Sequence, residues 1–315
     1  YLLLTSLSFP FLAVYNACAA LFRSMGNSRV SLFASLVMNV VNIGGNALLI
    51  YGCGWGVAGA GVPTLVSRAV AAFLMLQLIR NRSGPIYLEH LAHVRFEPDM
   101  VKSILSIGIP NGLENGLFNF GKIIVQSLIA ALGTAAIAAN AITNSVASVL
   151  IVPGSGMGLA MITVIGQCVG AGDYAQVKYY IRRMMLLTYV SMALINLPVL
   201  FFVGTITSWF NLSAEASRIV VGLLPLIALM HTVFWPFAFA FPNVLRAAGD
   251  ARFTMTVSII SMWLFRVGLS YVFVGALGLG VPGVWYSMFC DWIVRIACFL
   301  PRYYGGKWKS RRVIT

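Results

Sequence analysis

The fold class is decided by a stretch that contains no charged side chain, residues 123–172: IIVQSLIAALGTAAIAANAITNSVASVLIVPGSGMGLAMITVIGQCVGAG. Lys122 precedes this stretch and Asp173 follows it. A helix crosses the hydrocarbon core of a bilayer in about 20 residues, so the stretch is long enough to span a membrane. It lacks the alternation of apolar and polar residues that is typical of an outer-membrane barrel. The stretch therefore predicts transmembrane helix.

Three further charge-free stretches have the same character. They lie between Arg29 and Arg68, between Arg183 and Glu215, and between Arg218 and Arg246. Of the 315 residues, 60% are hydrophobic and only 9% are charged, whereas a soluble domain carries about 25% charged residues. This composition excludes a soluble enzyme, a disordered chain and a disulfide scaffold. The fold class is therefore all-α, a polytopic membrane protein.

The apolar runs predict nine spans, and the basic residues predict their orientation. The spans are residues 2–22, 31–51, 57–79, 103–131, 135–165, 184–206, 218–244, 255–276 and 281–301. Basic residues concentrate on alternate sides, in the first, third, fifth and seventh gaps and the tail, while the opposite face has only Arg218. Because cytoplasmic loops are enriched in Lys and Arg, we expect Tyr1 outside and the C-terminus in the cytoplasm of a multi-pass inner (cell) membrane protein.

We therefore interpret the net charge of +13 as a consequence of how the spans are oriented in the membrane. The bases lie in short loops beside spans, without a soluble module interleaved with aromatic residues, so no nucleic-acid partner is expected. The five cysteines are scattered and form no C-x-x-C motif. We therefore expect no disulfide, no metal site and no cofactor.

The chain also repeats itself. LFRSMGNSR at Leu21–Arg29 resembles VLRAAGDAR at Val244–Arg252, at an offset of 223 residues. GWGVAGA at Gly54–Ala60 resembles GLGVPGV at Gly278–Val284, at an offset of 224. Spans one to three thus match spans seven to nine, and spans four to six have no earlier partner. The repeat predicts three more spans before Tyr1, in a two-lobed fold of six plus six helices with parallel topology.

Several segments resemble one transporter family. IPNGLENGLFNFGKIIVQ at Ile109–Gln126 is similar to the seventh helix of the multidrug and toxic compound extrusion (MATE) family, and IGQCVGAGD at Ile165–Asp173 to the loop after its eighth helix. NVVNIGGNALLI at Asn39–Ile50, followed by GVAGAGVPT at Gly56–Thr64, resembles its fifth and sixth helices. The resemblance covers essentially the whole chain and implies helices four to twelve of a twelve-helix antiporter.

The repeat and the resemblance together predict a domain organisation. Residues 1–80 would be a partial N-lobe of three helices, and residues 81–102 a cytoplasmic linker between the lobes. Residues 103–301 would be a C-lobe of six helices, and residues 302–315 a basic cytoplasmic tail.

Glu114 is the first candidate site residue. It is the only carboxylate between Met100 and Gly172, and a charge at membrane depth costs about 2.5–3.5 kcal/mol on insertion scales, so such residues commonly face a cavity and function there. The alternative is an ion pair with Lys122, but eight helical residues rise about 12 Å, too far for a direct pair. The resemblance implies that this acid couples proton and cation movement. Asn115, Asn119 and Gln126 add polar groups nearby.

Asn42, Asn46 and Thr64 form a second candidate site. Asn42 and Asn46 share a helix face at i, i+4. The resemblance implies a polar cation site in the N-lobe at these positions, although Asn46 stands where some family members have Asp. The alternative interpretation is hydrogen bonding between helices.

Asp291, Arg295 and Arg266 form the third group. Asp291 and Arg295 are i, i+4 on the last span and can pair, and Asp291 is the candidate partner of Arg266. Charge compensation inside the bundle and a role in binding both remain open. The span that contains residues 220–245 offers His231 and Thr232, but no acid of the kind that some family members use for sodium.

The resulting functional expectation is a secondary antiporter and not an enzyme. It would export organic, cationic small molecules by alternating access, coupled to H+ or Na+ entry, as a monomer in the lipid bilayer. Aromatic residues in the spans could bind such cations through their ring faces. The alternatives are a flippase of lipid-linked glycans from the same superfamily and an intramembrane enzyme.

Overall fold

The computed structural model describes residues 2–80, 87–88 and 97–310 of the chain, with side chains to residue 308. All regular structure in these ranges is helical. The helices are α1 Leu2–Ser24, α2 Ser28–Gly52, α3 Gly56–Ile79, α4 Pro98–Ala130, α5 Thr134–Leu150, α6 Val152–Gly170, α7 Tyr174–Ser208, α8 Ala214–Val233, α9 Pro242–Ala247, α10 Ala251–Ala276 and α11 Gly280–Tyr304. A π-helical turn, Pro236–Ala240, joins α8 to α9, and a 3₁₀ turn, Lys307–Ser310, follows α11.

Eight of these helices are long and apolar enough to cross a membrane: α1, α2, α3, α6, α7, α8, α10 and α11. The predicted span 103–131 corresponds to α4, which is long but carries Asp99, Lys102, Glu114 and Lys122 along its length and is not among these eight. The predicted span 135–165 consists of α5 and α6, interrupted at Ile151. Pro153 lacks the backbone N–H that would continue the hydrogen-bond ladder, which explains the interruption. The described residues thus form a polytopic all-α membrane protein.

The chain divides into two compact units, Tyr1–Phe96 and Glu97–Thr315. In the first unit, α1, α2 and α3 pack around a small core that includes Tyr15, Phe22 and Met75. The outward faces of this unit are apolar, with Val40 69% and Ile43 68% exposed, as expected for surfaces that meet lipid.

The second unit has one large core to which α4–α11 all contribute. The predicted linker 81–102 lies mostly outside the described residues. Its last part needs a correction, because α4 begins at Pro98 and residues 98–102 therefore belong to the helix. Pro at the first helical position is favourable, since its missing N–H would have no partner there.

The repeat is visible in the backbone. Gly26 and Gly249 both adopt positive φ, at +78° and +87°, and so do Gly54 and Gly278 at the second motif. π-helical segments precede the second motif in both copies, Ala47–Gly52 and Val272–Ala276. Positive φ strains any residue with a Cβ, so the matched glycines fix the same turn twice.

The close contact at a helical glycine also occurs in both copies of the repeat. A Cβ added to Gly59 would lie 3.1 Å from the backbone of Leu49, and one added to Gly283 would lie 3.3 Å from the carbonyl carbon of Phe273. The two glycines, like the two residues that they contact, are 224 positions apart. The internal repeat predicted from the sequence is therefore a repeat of backbone geometry and not only of composition.

Candidate functional site

Glu114 lies near the middle of α4 and forms an ion pair with Arg246 of α9. Arg246 Nη2 donates to Glu114 Oε1 at 2.6 Å, and Arg246 Nη1 donates to Asn243 Oδ1 at 3.0 Å. The side chains are 12% and 22% exposed, respectively. Glu114 Oε2 is buried and has no hydrogen-bond partner among the described residues. Glu114 thus has one oxygen held by a cation and a second oxygen free to accept a proton or a cation.

The sequence places Arg246 in the gap that follows the predicted span 218–244, whereas the structure places it on a helix. The helical path continues beyond Val233 through the π-turn and α9, which ends at Ala247. Arg246 therefore lies on a helix and is half-buried. The repeat aligns Arg246 with Arg23, but that alignment does not indicate the contact with Glu114.

Lys122 does not pair with Glu114. Its Nζ lies 5.0 Å from the centroid of the Phe118 ring. Residues i and i+4 are neighbours on one helix face, so Phe118 is within reach of Lys122, whereas Glu114 is two turns away.

The structure brings Asn42, Asn46 and Thr64 together inside the first unit. Asn42 Nδ2 donates to Thr64 Oγ1 at 3.4 Å, and Asn46 Nδ2 donates to Asn42 Oδ1 at 3.1 Å. Thr64 Oγ1 donates to the carbonyl of Ala60 at 2.9 Å. Asn46 Oδ1 is buried and has no partner among the described residues. The chain of hydrogen bonds joins α2 to α3 and leaves one amide oxygen available to a ligand.

Asp291 and Arg295 form a fully buried pair on α11. Arg295 Nε donates to Asp291 Oδ1 at 2.9 Å, and the side chains are 2% and 0% exposed for Arg295 and Asp291. Arg295 Nη2 also donates to the carbonyl of Ser258 at 3.1 Å. Arg266 was expected to bond to Asp291, but its Nη2 donates to the sulfur of Met288 at 2.6 Å instead. A thioether is a weak acceptor without charge, so this contact does not neutralise Arg266.

Phe118 is surrounded by three cations. The guanidinium carbons of Arg266 and Arg295 lie 5.3 and 5.6 Å from its ring centroid, and Lys122 Nζ lies 5.0 Å away. Such distances allow cation–π attraction. The only carboxylate that the described contacts bring to this cluster is Asp291.

A cavity of about 530 Å³ opens beside this cluster. Lys122, Arg266, Asn119, Gln126, Asn140 and Asn144 supply its polar wall, and Ile123, Val125, Ile129, Ala141, Val284, Trp285 and Met288 supply its apolar wall. Asn140 Nδ2 donates to Gln126 Oε1 at 3.1 Å. Of the polar residues named from sequence around the candidate sites, Asn119, Gln126 and Arg266 line the cavity. Asn115 is exposed and its amide donates to the carbonyl of Asn111.

The remaining polar candidate, His231, is buried in the core. Its Nδ1 lies 2.8 Å from the carbonyl of Ile227, and its ring packs edge-on against Trp292. Within the described residues, no group of three or more His, Cys, Asp or Glu side chains could hold a metal ion.

Comparison with known proteins gives a consistent result. A family model, MatE, matches residues 110–272. A multidrug resistance protein of Thermotoga maritima, "Probable multidrug resistance protein NorM", is 27% identical over 98% of this chain. The human protein "Multidrug and toxin extrusion protein 1" is 22% identical over 89% of it. The chain spans 66% of the length of the Thermotoga relative and 49% of the human one.

The solved structures agree on the fold. An "outward-facing conformation of a multidrug resistance MATE family transporter of the MOP superfamily" superposes with a TM-score of 0.82 and 21% identity. It covers 94% of this chain, which corresponds to 67% of the solved one. At this identity the likeness shows the fold alone. The names of these relatives describe transport and drug resistance, not catalysis.

Proposed function

Because the chain belongs to the MatE family, we propose that it is part of a secondary transporter that exports organic small molecules by alternating access, coupled to the entry of H+ or Na+ at Glu114. The observation that carries the proposal is the ion pair between Glu114 and Arg246, with Glu114 Oε2 buried and unpartnered. An intramembrane acid is a common device for coupling a transport cycle to an ion gradient.

The pair supplies a physical means of coupling. While Glu114 is ionised, its 2.6 Å ion pair with Arg246 holds α4 against α9. A proton or a sodium ion that binds the carboxylate competes with Arg246 for the negative charge of Glu114 and weakens the ion pair. Binding then favours the conformation in which the two helices are free to move apart, and only such differential affinity can shift a conformational equilibrium.

Asn42, Asn46 and Thr64 are proposed as a second polar site, in the first unit. Asn46 Oδ1, buried and without a partner among the described side chains, is the atom that a cation would meet there. The hydrogen bonds from Asn46 to Asn42 and from Asn42 to Thr64 orient that oxygen.

The test is transport by the protein as its gene encodes it, reconstituted in vesicles. Glu114→Gln keeps the size of the side chain but removes its charge, so efflux driven by a proton or sodium gradient should fall to the level of protein-free vesicles. Separately imposed gradients identify the ion. Glu215→Gln is the matched control, because Glu215 is an exposed acid in the first turn of α8. Transport by Glu114→Gln equal to that of the control under both gradients would refute the assignment.

The second unit gives no support to the cationic substrates that the sequence analysis predicts. Its cavity presents Lys122 and Arg266. The Phe118 ring, which could attract a cationic ligand, already contacts three cationic side chains of the protein.

A further inference from the structure

The second unit carries an excess of positive charge at its cavity. Lys122, Arg266 and Arg295 surround Phe118, and Asp291, the carboxylate in contact with this cluster, is paired with Arg295. None of the cavity-lining residues that the structure describes is Asp or Glu. Arg266 is only partly exposed, and an uncompensated charge is costly where the dielectric constant is low, so a negatively charged group would be stabilised beside it and beside the exposed Lys122.

Three hydrogen-bonding groups of this wall, those of Lys122, Arg266 and Trp285, can only donate, whereas its four side-chain amides can donate and accept. Lysine, arginine and the tryptophan indole are donors only. Arg266 donates to the sulfur of Met288, and the indole nitrogen of Trp285, a cavity residue that is 4% exposed, is buried without an acceptor in the described structure. A donor that is buried without an acceptor loses about 1–3 kcal/mol, and a ligand rich in oxygen acceptors would recover part of that free energy.

The internal repeat shows that only its second copy, in the second unit, has a positive charge at this position. Asn42 and Thr64 of the first unit correspond, at an offset of 224, to Arg266 and Met288 of the second. The same pair of positions is in contact in both copies, as Asn42 Nδ2 to Thr64 Oγ1 and as Arg266 Nη2 to Met288 Sδ. One fold position therefore holds a neutral amide in the first copy and a fixed cation in the second.

From these contacts we propose that the cavity lined by Lys122, Arg266 and Trp285 binds an organic anion, an amphipathic carboxylate or sulfonate whose charged group meets Lys122 and Arg266. Its volume of about 530 Å³ lies in the range of small-molecule sites. The apolar wall of Ile123, Ile129 and Val284 would contact the hydrocarbon part of the molecule. The inference rests on the proposed transport function and names a substrate class for it.

The test is equilibrium binding to the purified protein, without any ion gradient. Isothermal titration calorimetry would compare naphthalene-2-sulfonate with a naphthylmethyl-trimethylammonium cation of similar size. The wild-type protein should bind the sulfonate more tightly than the ammonium compound. Lys122→Gln should weaken sulfonate binding by about tenfold, the factor that corresponds to one lost charge-assisted hydrogen bond, and should not weaken binding of the cation.

Two variants control this experiment. Lys122→Arg keeps the charge and should keep sulfonate binding. Lys102→Gln removes a lysine that is also exposed but does not line the cavity, about 30 Å away along the axis of the same helix, and should change neither affinity. Tighter binding of the ammonium compound by the wild type, or equal sulfonate affinities for Lys122→Gln and Lys102→Gln, would overturn the proposal. Because no gradient is involved, loss of coupled transport with intact sulfonate selectivity would count against the proposed function alone.

Discussion

At the scale of single residues, burial separates the two internal ion pairs. Asp291 and Arg295 are fully buried, whereas Glu114 and Arg246 retain 12% and 22% exposure. Removing one partner of a buried pair leaves the other charge uncompensated, which costs about 3–5 kcal/mol. The second pair is partly exposed and can recover some of that loss from water. The two pairs therefore suit different roles, the fully buried one a fixed contact and the partly exposed one a contact that can open.

We predict that Asp291→Asn destabilises the protein by about 3 kcal/mol, because it leaves the buried Arg295 without a countercharge. Thermal unfolding in detergent should show a midpoint several degrees lower. Asp99→Asn, an exposed acid in the first turn of α4, is the matched control and should shift the midpoint little. If both variants unfold at the same temperature, the buried pair does not stabilise the fold.

The partner of Glu114 gives a second prediction at this scale. Arg246→Gln should lower the unfolding midpoint, since it leaves a carboxylate with 12% exposure unpaired, and the expected loss is about 1–3 kcal/mol. In the double variant that combines Glu114→Gln and Arg246→Gln, the two side-chain amides can hydrogen-bond to each other. Part of the stability lost in the single variants should therefore be recovered. Arg252→Gln removes an exposed arginine of α10 and serves as the control. Strict additivity of the two single changes would show that the pair makes no energetic contribution.

At the scale of elements, the repeat makes a paired prediction. Gly59→Ala and Gly283→Ala should both destabilise, by about 1–3 kcal/mol each, because the added Cβ meets backbone atoms at 3.1–3.3 Å. Gly222→Ala in α8 is the control, since its Cβ would meet nothing within 4 Å and Ala favours a helix over Gly by about 1 kcal/mol. Unfolding midpoints in detergent would measure all three. A stabilising effect at either repeat glycine would contradict the close approach of the helices.

At the scale of the whole molecule, the basic residues predict the orientation of the spans. The loop before α7 should be cytoplasmic and the loop after it external. In a cysteine-free background, an impermeant maleimide applied to intact cells should therefore label Asn211→Cys, and should label Ala171→Cys only after lysis. Both positions are exposed, and one helix, Tyr174–Ser208, separates them. The reverse pattern would invert the topology of every span.

The amino-acid sequence by itself determined the fold class, the position of nearly every span and the internal repeat. These follow from local properties: a charge-free run must be shielded from water by lipid or protein, and a glycine at positive φ fixes a turn wherever it occurs. The same reasoning placed Asn42 beside Asn46 and Asp291 beside Arg295, because residues four apart share one face of a helix.

Only the tertiary structure decided which distant groups meet. Glu114 and Arg246 are 132 residues apart, and no periodicity connects them; Arg246 lies on α9, which follows the π-turn and ends at Ala247, three residues past the predicted end of the span. The preference of Arg266 for Met288 over Asp291, and the gathering of three cations around Phe118, likewise depend on how α4, α10 and α11 pack. Charges at membrane depth select partners by distance and burial in three dimensions, and neither quantity can be calculated from spacing along the chain.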